Sequence, residues 1–191
     1  MEYNWKEFKT NEDKRSKNYD IVDKSIHKFI TYPILPILVK LNLTPNFITT
    51  LSLICGIISY VCITSDNYIY GSFFFLLRYI LDCLDGPVAR LTKQTSEFGD
   101  IYDHCVDWFT FILFYISCYT KKFSTTFMIF LHILLFSSII HYALIYRKIK
   151  KGIIYKLTSW IPINENMFKW TRFISTGLFT IFCTIGIFLH K

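Results

Sequence analysis

The sequence predicts an all-α protein, a polytopic membrane helical bundle with five clear spans and a candidate sixth, preceded by an interfacial amphipathic helix. Three observations lead there. The chain of 191 residues is 52% hydrophobic and 19% aromatic but only 18% charged, far from the balance of a soluble domain. Long apolar runs recur, each near the ~20 residues that a helix needs to cross a hydrocarbon layer of ~30 Å. The basic residues behind the net charge of +7 gather near the N-terminus and in short stretches between apolar runs. That distribution fits membrane orientation and anionic headgroups, with no nucleic-acid partner.

Residues 1–20 read as a polar cytosolic tail, polar for too long to be a cleavable signal. Residues 21–41 mix charge with an apolar side and contain Pro33 and Pro36, so they read as an interfacial or juxtamembrane helix rather than a straight span. Residues 42–191 form the transmembrane domain. Thr44 as a cap and Pro45 at the first helical position open a span over about 46–64. A short link leads to a second span over 68–91, and the polar turn TKQTSE to a third over 99–119. The fourth covers 123–146 and ends in the basic group RKIKKG; the fifth covers 171–190. Between them, 153–170 carries interface-loving Trp and Tyr, but Lys156, Pro162 and Glu165 oppose a comfortable span.

The basic loops 90–93 and 147–151 fall on the same side as the N-terminus, which the positive-inside rule assigns to the cytosol. The membrane is the endoplasmic reticulum or another internal membrane in a eukaryotic or viral setting, the plasma membrane in a bacterium. That placement argues against glycosylation at Asn42 of the NLT triplet. The six cysteines lie in or beside apolar segments without close ligand spacing and read as small buried residues.

Four carboxylates interrupt this apolar pattern. Asp82 and Asp85 are three residues apart, Asp103 and Asp107 four apart, so each pair shares one helix face. Two antiparallel helices joined through 92–98 bring both faces into one cleft. Partly dehydrated like charges repel; divalent cations relieve that conflict, and an all-oxygen ligand set suits Mg²⁺ or Mn²⁺. Gly86 lets a phosphate or a neighbouring helix approach the backbone, Ala89 keeps that wall shallow, and Arg90 offers planar charge-assisted hydrogen bonds to phosphate. Gly99 relieves crowding where the third span begins. Together these residues describe a metal-held pyrophosphate, with two metals neutralising it and orienting the attack.

The pattern D82-x-x-D85-G86-x-x-A89-R90, then eight residues, then G99-x-x-x-D103-x-x-x-D107, resembles the complete signature of the CDP-alcohol phosphatidyltransferase family. The segment LTPNFITTLSLICG is similar to the entry of that family's first span, so the resemblance covers 42–147. It implies transfer of a phosphoalcohol from a CDP-linked donor to a hydroxyl acceptor with release of CMP. By that resemblance Asp82, Asp85 and Asp103 are metal ligands, and Asp107 helps hold the second metal and is the base that accepts the hydroxyl proton. Gly86, Ala89 and Arg90 line the CDP and pyrophosphate site, and Gly99 permits close helix approach. The family implies six spans, a homodimer and membrane phospholipids as surroundings; the chain departs from six clear spans after Gly152.

Several residues have bland readings beside the functional ones. Asp100 reads as a first-turn residue favourable to the helix dipole rather than a fifth carboxylate of the cleft. Glu97 reads as a solvated turn residue, and His104, His132 and His141 as packing. Asn46 and Thr49 face the nucleotide across the bundle or simply cap and cross-link helices, and Arg78 balances the carboxylates. Two transferase forms stay open. CDP-diacylglycerol donates a phosphatidyl group to a small polar alcohol, or CDP-choline or CDP-ethanolamine donates to diacylglycerol. The DHCVD stretch around Asp103 and Asp107 resembles choline and ethanolamine transferases, but the chain is short for them, so the first form is kept ahead. An ion-transport site and a structural membrane protein are the non-enzymatic readings; the Gly86, Ala89, Arg90 arrangement argues against both.

Overall fold

Trp5, Phe8 and Glu12 recur at helical spacing in the N-terminal segment, and in the computed structural model they face inward on a helix rather than a free tail. The structure describes residues 3–16, 19–149, 153–160, 162, 164, 166, 171, 173 and 175–190. Among these the regular structure is all helical: α1 (Trp5–Ser16), α2 (Ile21–Ile26), α3 (Tyr32–Lys40), α4 (Pro45–Thr64), α5 (Tyr68–Thr92), α6 (Glu97–Thr120), α7 (Thr125–Ile149), α8 (Ile153–Thr158) and α9 (Thr176–Leu189). A π-helical stretch, His27–Thr31, joins α2 to α3. Such a widened turn accommodates prolines that would otherwise break the ladder, and Pro33 and Pro36 follow at once.

Helices therefore stand at all five predicted spans. Among the described residues, two are long and apolar enough to cross a membrane, Pro45–Thr64 and Thr125–Arg147. The apolar runs of α5 and α6 are broken by the charges that build the site. The last helix begins at Thr176 rather than 171 and has 14 residues, a rise of about 21 Å. Of 153–170, α8 takes the first six residues, and most of 161–170 lies outside the described residues.

Side-chain caps start the helices. Thr44 accepts from the Phe47 amide at 3.3 Å, and Ser96 accepts from the Gly99 amide at 3.0 Å, which starts α6 two residues before the predicted site. The stops follow another logic. After α3, α4 and α6 the chain turns through Asn42, Asp66 and Lys122 with φ of 53°, 61° and 53°. The amides of Leu43, Asn67 and Phe123 then bond back to the carbonyls of Leu38, Cys62 and Cys118 at 3.1, 2.8 and 3.0 Å. These are Schellman closures built without glycine.

Two apolar clusters flank the charged zone. One joins Ile63, Phe75, Phe114, Leu131, Phe179, Cys183 and Ile187; the other joins Phe8 of α1 and Leu35 and Val39 of α3 to Ile48, Leu84 and Val88. Along α5, Arg78 and Asp82 fall between Phe75 of the first and Leu84 of the second. The N-terminal helices are tied to the C-terminal one by Asp20, which caps two helices at once. Its Oδ1 accepts from the Asp23 amide at 2.6 Å; its Oδ2 accepts from Ser175 Oγ at 2.5 Å and the Gly177 amide at 2.8 Å. A Cβ on Gly177 would lie 2.5 Å from Val22 Cβ, so glycine permits this approach.

Beside that knot, Asp23 accepts the Tyr79 hydroxyl, while desolvation and the Asp20 charge raise its pKa to about 7. A carboxyl raised on folding contributes stability that is present below its unfolded value of about 4 and lost as pH rises through the folded value. His27 has the opposite sign: desolvation, then Arg90, lowers it to about 4, so its contribution is present above about 6.5 and lost on acidification. Comparison with Asp23→Asn separates the two. The thermal midpoint of wild type minus that of Asp23→Asn is expected to fall steadily from pH 4 to pH 7.5. A difference that stays constant over this range contradicts the assignment.

Candidate active site

The site follows from the antiparallel pairing of α5 and α6. The turn between them is tight because Lys93 takes φ 58° at the end of α5 and Ser96 caps α6 at once. Asp82 and Asp85 then meet Asp103 across the helix pair, with one carboxylate oxygen from each lying within 4.8 Å of the others. A second group on α6, Asp103, His104 and Asp107, has one ligand atom from each within the same 4.8 Å. Asp103 joins the two groups, and His104 thus lies nearer the carboxylates than its sequence neighbourhood predicts.

Each carboxylate is held differently. Asp85 is 7% exposed, and its Oδ2 accepts the Thr49 hydroxyl from α4 at 2.6 Å. Arg78 Nη2 donates to Asp107 Oδ1, while Arg78 Nε donates to Thr110 Oγ1 at 2.7 Å. A guanidinium thus braces the α6 end of the cluster, the counter-charge role read for Arg78 in the sequence. Asp103 Oδ1 is buried with no hydrogen-bond partner among the described residues. An orphaned buried carboxylate oxygen costs free energy unless something outside the chain satisfies it. Three converging carboxylates with such an oxygen fit a hard divalent cation held by oxygen ligands.

Sequence reasoning did not find what packs behind Arg78. A Cβ on Gly56 of α4 would meet Thr110 Cγ2 at 2.4 Å and Arg78 Cδ at 3.5 Å, so α4 and α6 touch where Thr110 receives Arg78. Ser52 Oγ also donates to the Arg78 carbonyl at 3.1 Å. The available signal was a glycine inside an apolar span, which marks close backbone approach.

With that geometry in hand, comparison with known proteins decides the family. The sequence profile described as CDP-alcohol phosphatidyltransferase matches residues 42–189. The chain belongs to the CDP-alcohol phosphatidyltransferase family. Members of this family are generally divalent-metal dependent, which agrees with the chemistry of the three-carboxylate group. Among curated proteins, the CDP-diacylglycerol–serine O-phosphatidyltransferases of two Helicobacter pylori strains are each 39% identical over 67 residues. That stretch is 35% of this chain and 28% of each relative's length. No solved structure gives a significant match.

The remaining signature positions of this CDP-alcohol phosphatidyltransferase-family chain lie around the same helix ends. Gly86 and Ala89 are half-buried on α5. A Cβ on Gly99 would approach Ser96 Oγ at 3.2 Å and Asn46 Oδ1 at 3.4 Å, so Asn46, exposed on α4, reaches the start of α6. Arg90 differs from the free phosphate-facing side chain that the sequence suggests. Its Nε and Nη2 donate to Glu12 Oε1 and Oε2 at 2.6 and 2.9 Å, which commits one edge of the guanidinium to α1. Asp100 lies 3.7 Å from His104 Nε2 and outside the three-carboxylate group. The histidines make hydrogen bonds: His104 with the Tyr146 hydroxyl, His132 with that of Tyr115, and His141 with Thr171 Oγ1, at 3.0, 3.0 and 3.1 Å.

Proposed function

We propose that the chain is a multi-pass integral membrane enzyme of phospholipid biosynthesis that transfers a phosphatidyl group from CDP-diacylglycerol to a small polar alcohol and releases CMP. The observation that carries this reading is the convergence of Asp82, Asp85 and Asp103 on one point with a buried oxygen of Asp103 unsatisfied. The name of the Helicobacter pylori relatives supports CDP-diacylglycerol as donor and makes serine the first acceptor to test.

In this reading residues 42–191 form the transferase domain with its five helices as spans. Residues 21–41 lie at the interface, and the site opens to the cytosol, where CDP-linked donors and polar acceptors meet. Asp82, Asp85 and Asp103 would hold one Mg²⁺ or Mn²⁺, and Asp107 would contribute to a second. Cations held there would supply positive charge for the pyrophosphate and for the departing CMP. Gly86, Ala89, Arg90, Gly99 and Asn46 shape the wall on which the CDP moiety rests. Arg78 fixes the carboxylate of Asp107, which takes the proton from the acceptor hydroxyl. The hydroxyl oxygen bonds to the phosphorus that carries diacylglycerol, the bond from that phosphorus to the oxygen of the CMP phosphate breaks, and CMP leaves with the electron pair. A homodimer is the working assembly.

The test is product mass from purified protein in lipid with Mg²⁺ or Mn²⁺. CDP-diacylglycerol is offered with serine, inositol and glycerol phosphate, and CDP-choline and CDP-ethanolamine are offered with diacylglycerol. A new phospholipid from CDP-diacylglycerol, formed in equal amount to CMP, is the expected result. Products only from CDP-choline or CDP-ethanolamine reverse donor and acceptor. Absence of any product with folded, metal-binding protein overturns the transferase reading.

A further inference from the structure

Resting on that transferase reading, we infer that Glu12 of the N-terminal helix is a positioning residue, which aims Arg90 at the phosphates of the CDP-linked donor. Glu12 is only 2% exposed, an unusual place for a carboxylate unless it is paired. Both of its oxygens meet one edge of the Arg90 guanidinium, at 2.6 and 2.9 Å from Nε and Nη2. This bidentate fork fixes the plane of the group as well as its place.

Arginine carries five N–H donors, and the pair uses two of them. Nη1 stays on the opposite edge and lies 2.9 Å from where a Cβ on Gly86 would stand. Gly86 follows Asp85, a member of the three-carboxylate group. The unused edge of Arg90 is thus laid over the glycine beside the metal-binding carboxylates, the place where a phosphate needs a donor. Without Glu12 the long Arg90 side chain loses this anchor and samples many rotamers.

Helix α1 is docked well enough to do this. Phe8 packs in the cluster with Leu35, Val88 and Leu91, and its ring meets Tyr32 edge-on at 6.4 Å. The N-terminal segment is thereby part of the donor site, 78 residues away in sequence from the arginine it orients. The ion pairs of Glu12 among the described residues are with Arg90 and, at 4.0 Å, with Arg15 of α1 itself, so its link toward the carboxylate group runs through Arg90.

The experiment measures kcat and KM for CDP-diacylglycerol with wild type, Glu12→Gln, Glu12→Asp, Arg90→Ala and the Glu12→Gln/Arg90→Ala double variant. Glu12→Gln is expected to raise KM about tenfold with kcat within about twofold of wild type, and Glu12→Asp to recover part of the loss. The double variant is expected to match Arg90→Ala, because Glu12 acts only through Arg90. An unchanged KM in Glu12→Gln, or losses that add in the double variant, overturns the inference. A lowered KM also overturns it and makes α1 an inhibitory plug. If wild type turns over no CDP-linked donor, the transferase reading fails separately. The same variants are then compared by calorimetric binding of CDP with Mg²⁺, where tenfold weaker binding by Glu12→Gln upholds the positioning role and equal affinity overturns it.

Discussion

Asp107→Ala is expected to lower kcat for CMP release by about 10²- to 10⁴-fold, the range for loss of a positioned proton acceptor. The fall should exceed that of any other single change on α6, because Asp107 is given two tasks, a share of the second cation and the acceptor proton. Its neighbour Asp100 provides the contrast. Asp100 belongs to the first turn of α6, outside the three-carboxylate group, and lies 3.7 Å from His104 Nε2, so Asp100→Asn is expected to keep turnover within about threefold of wild type. Steady-state CMP release from the two variants in matched lipid checks both. Comparable losses in the two would remove the special role of Asp107.

The second large effect is on stability. Arg78→Met removes the donor to both Asp107 and Thr110 and strands a carboxylate whose side chain is 32% exposed, beside an arginine side chain only 11% exposed. Breaking one member of a buried pair costs about 3–5 kcal/mol, and the partial exposure of Asp107 puts the expected loss near the lower end, ~3 kcal/mol. Lysine is no substitute, because a single ammonium cannot serve Asp107 and Thr110 from two edges of a plane. Adding Asp107→Asn to Arg78→Met should recover part of the loss by removing the stranded charge. Thermal unfolding in lipid of the two single variants and the double reads this coupling. Strictly additive losses would show that the pair contributes nothing.

The residues legible in the sequence were those whose meaning is local. Asp82 with Asp85 and Asp103 with Asp107 have helical spacing, and the polar turn between them implies an antiparallel pair, so their grouping needed no distant information. Thr44 and Pro45 announced the start of α4 for the same reason. The helix stops were harder, because Asn42, Asp66, Lys93 and Lys122 take left-handed backbone that glycine usually marks. Contacts across the chain were out of reach. Asp20 meets Ser175 at a separation of 155 residues and Glu12 meets Arg90 at 78, and nothing in a polar N-terminal stretch says which of its acids becomes buried. Gly56 was visible as a glycine in an apolar run, but its partner Thr110 follows only from how α4 crosses α6. Among the described residues two of the five helices at the expected spans are long and apolar enough to cross a membrane, because the charges that make the site on α5 and α6 interrupt their apolar runs and α9 has 14 residues.

The central claim is that the carboxylate group on α5 and α6 binds divalent cations and uses them to break the pyrophosphate of a CDP-linked donor. Its most direct test is CMP formation by purified wild-type protein in lipid, from CDP-diacylglycerol with serine and from CDP-choline with diacylglycerol, before and after chelation. The expected result is CMP formed with Mg²⁺ or Mn²⁺, abolished by chelator, restored by added cation and lowered at least about 10²-fold in Asp107→Ala. CMP release that persists in chelator, or no release from either donor by folded protein with cation present, would contradict it.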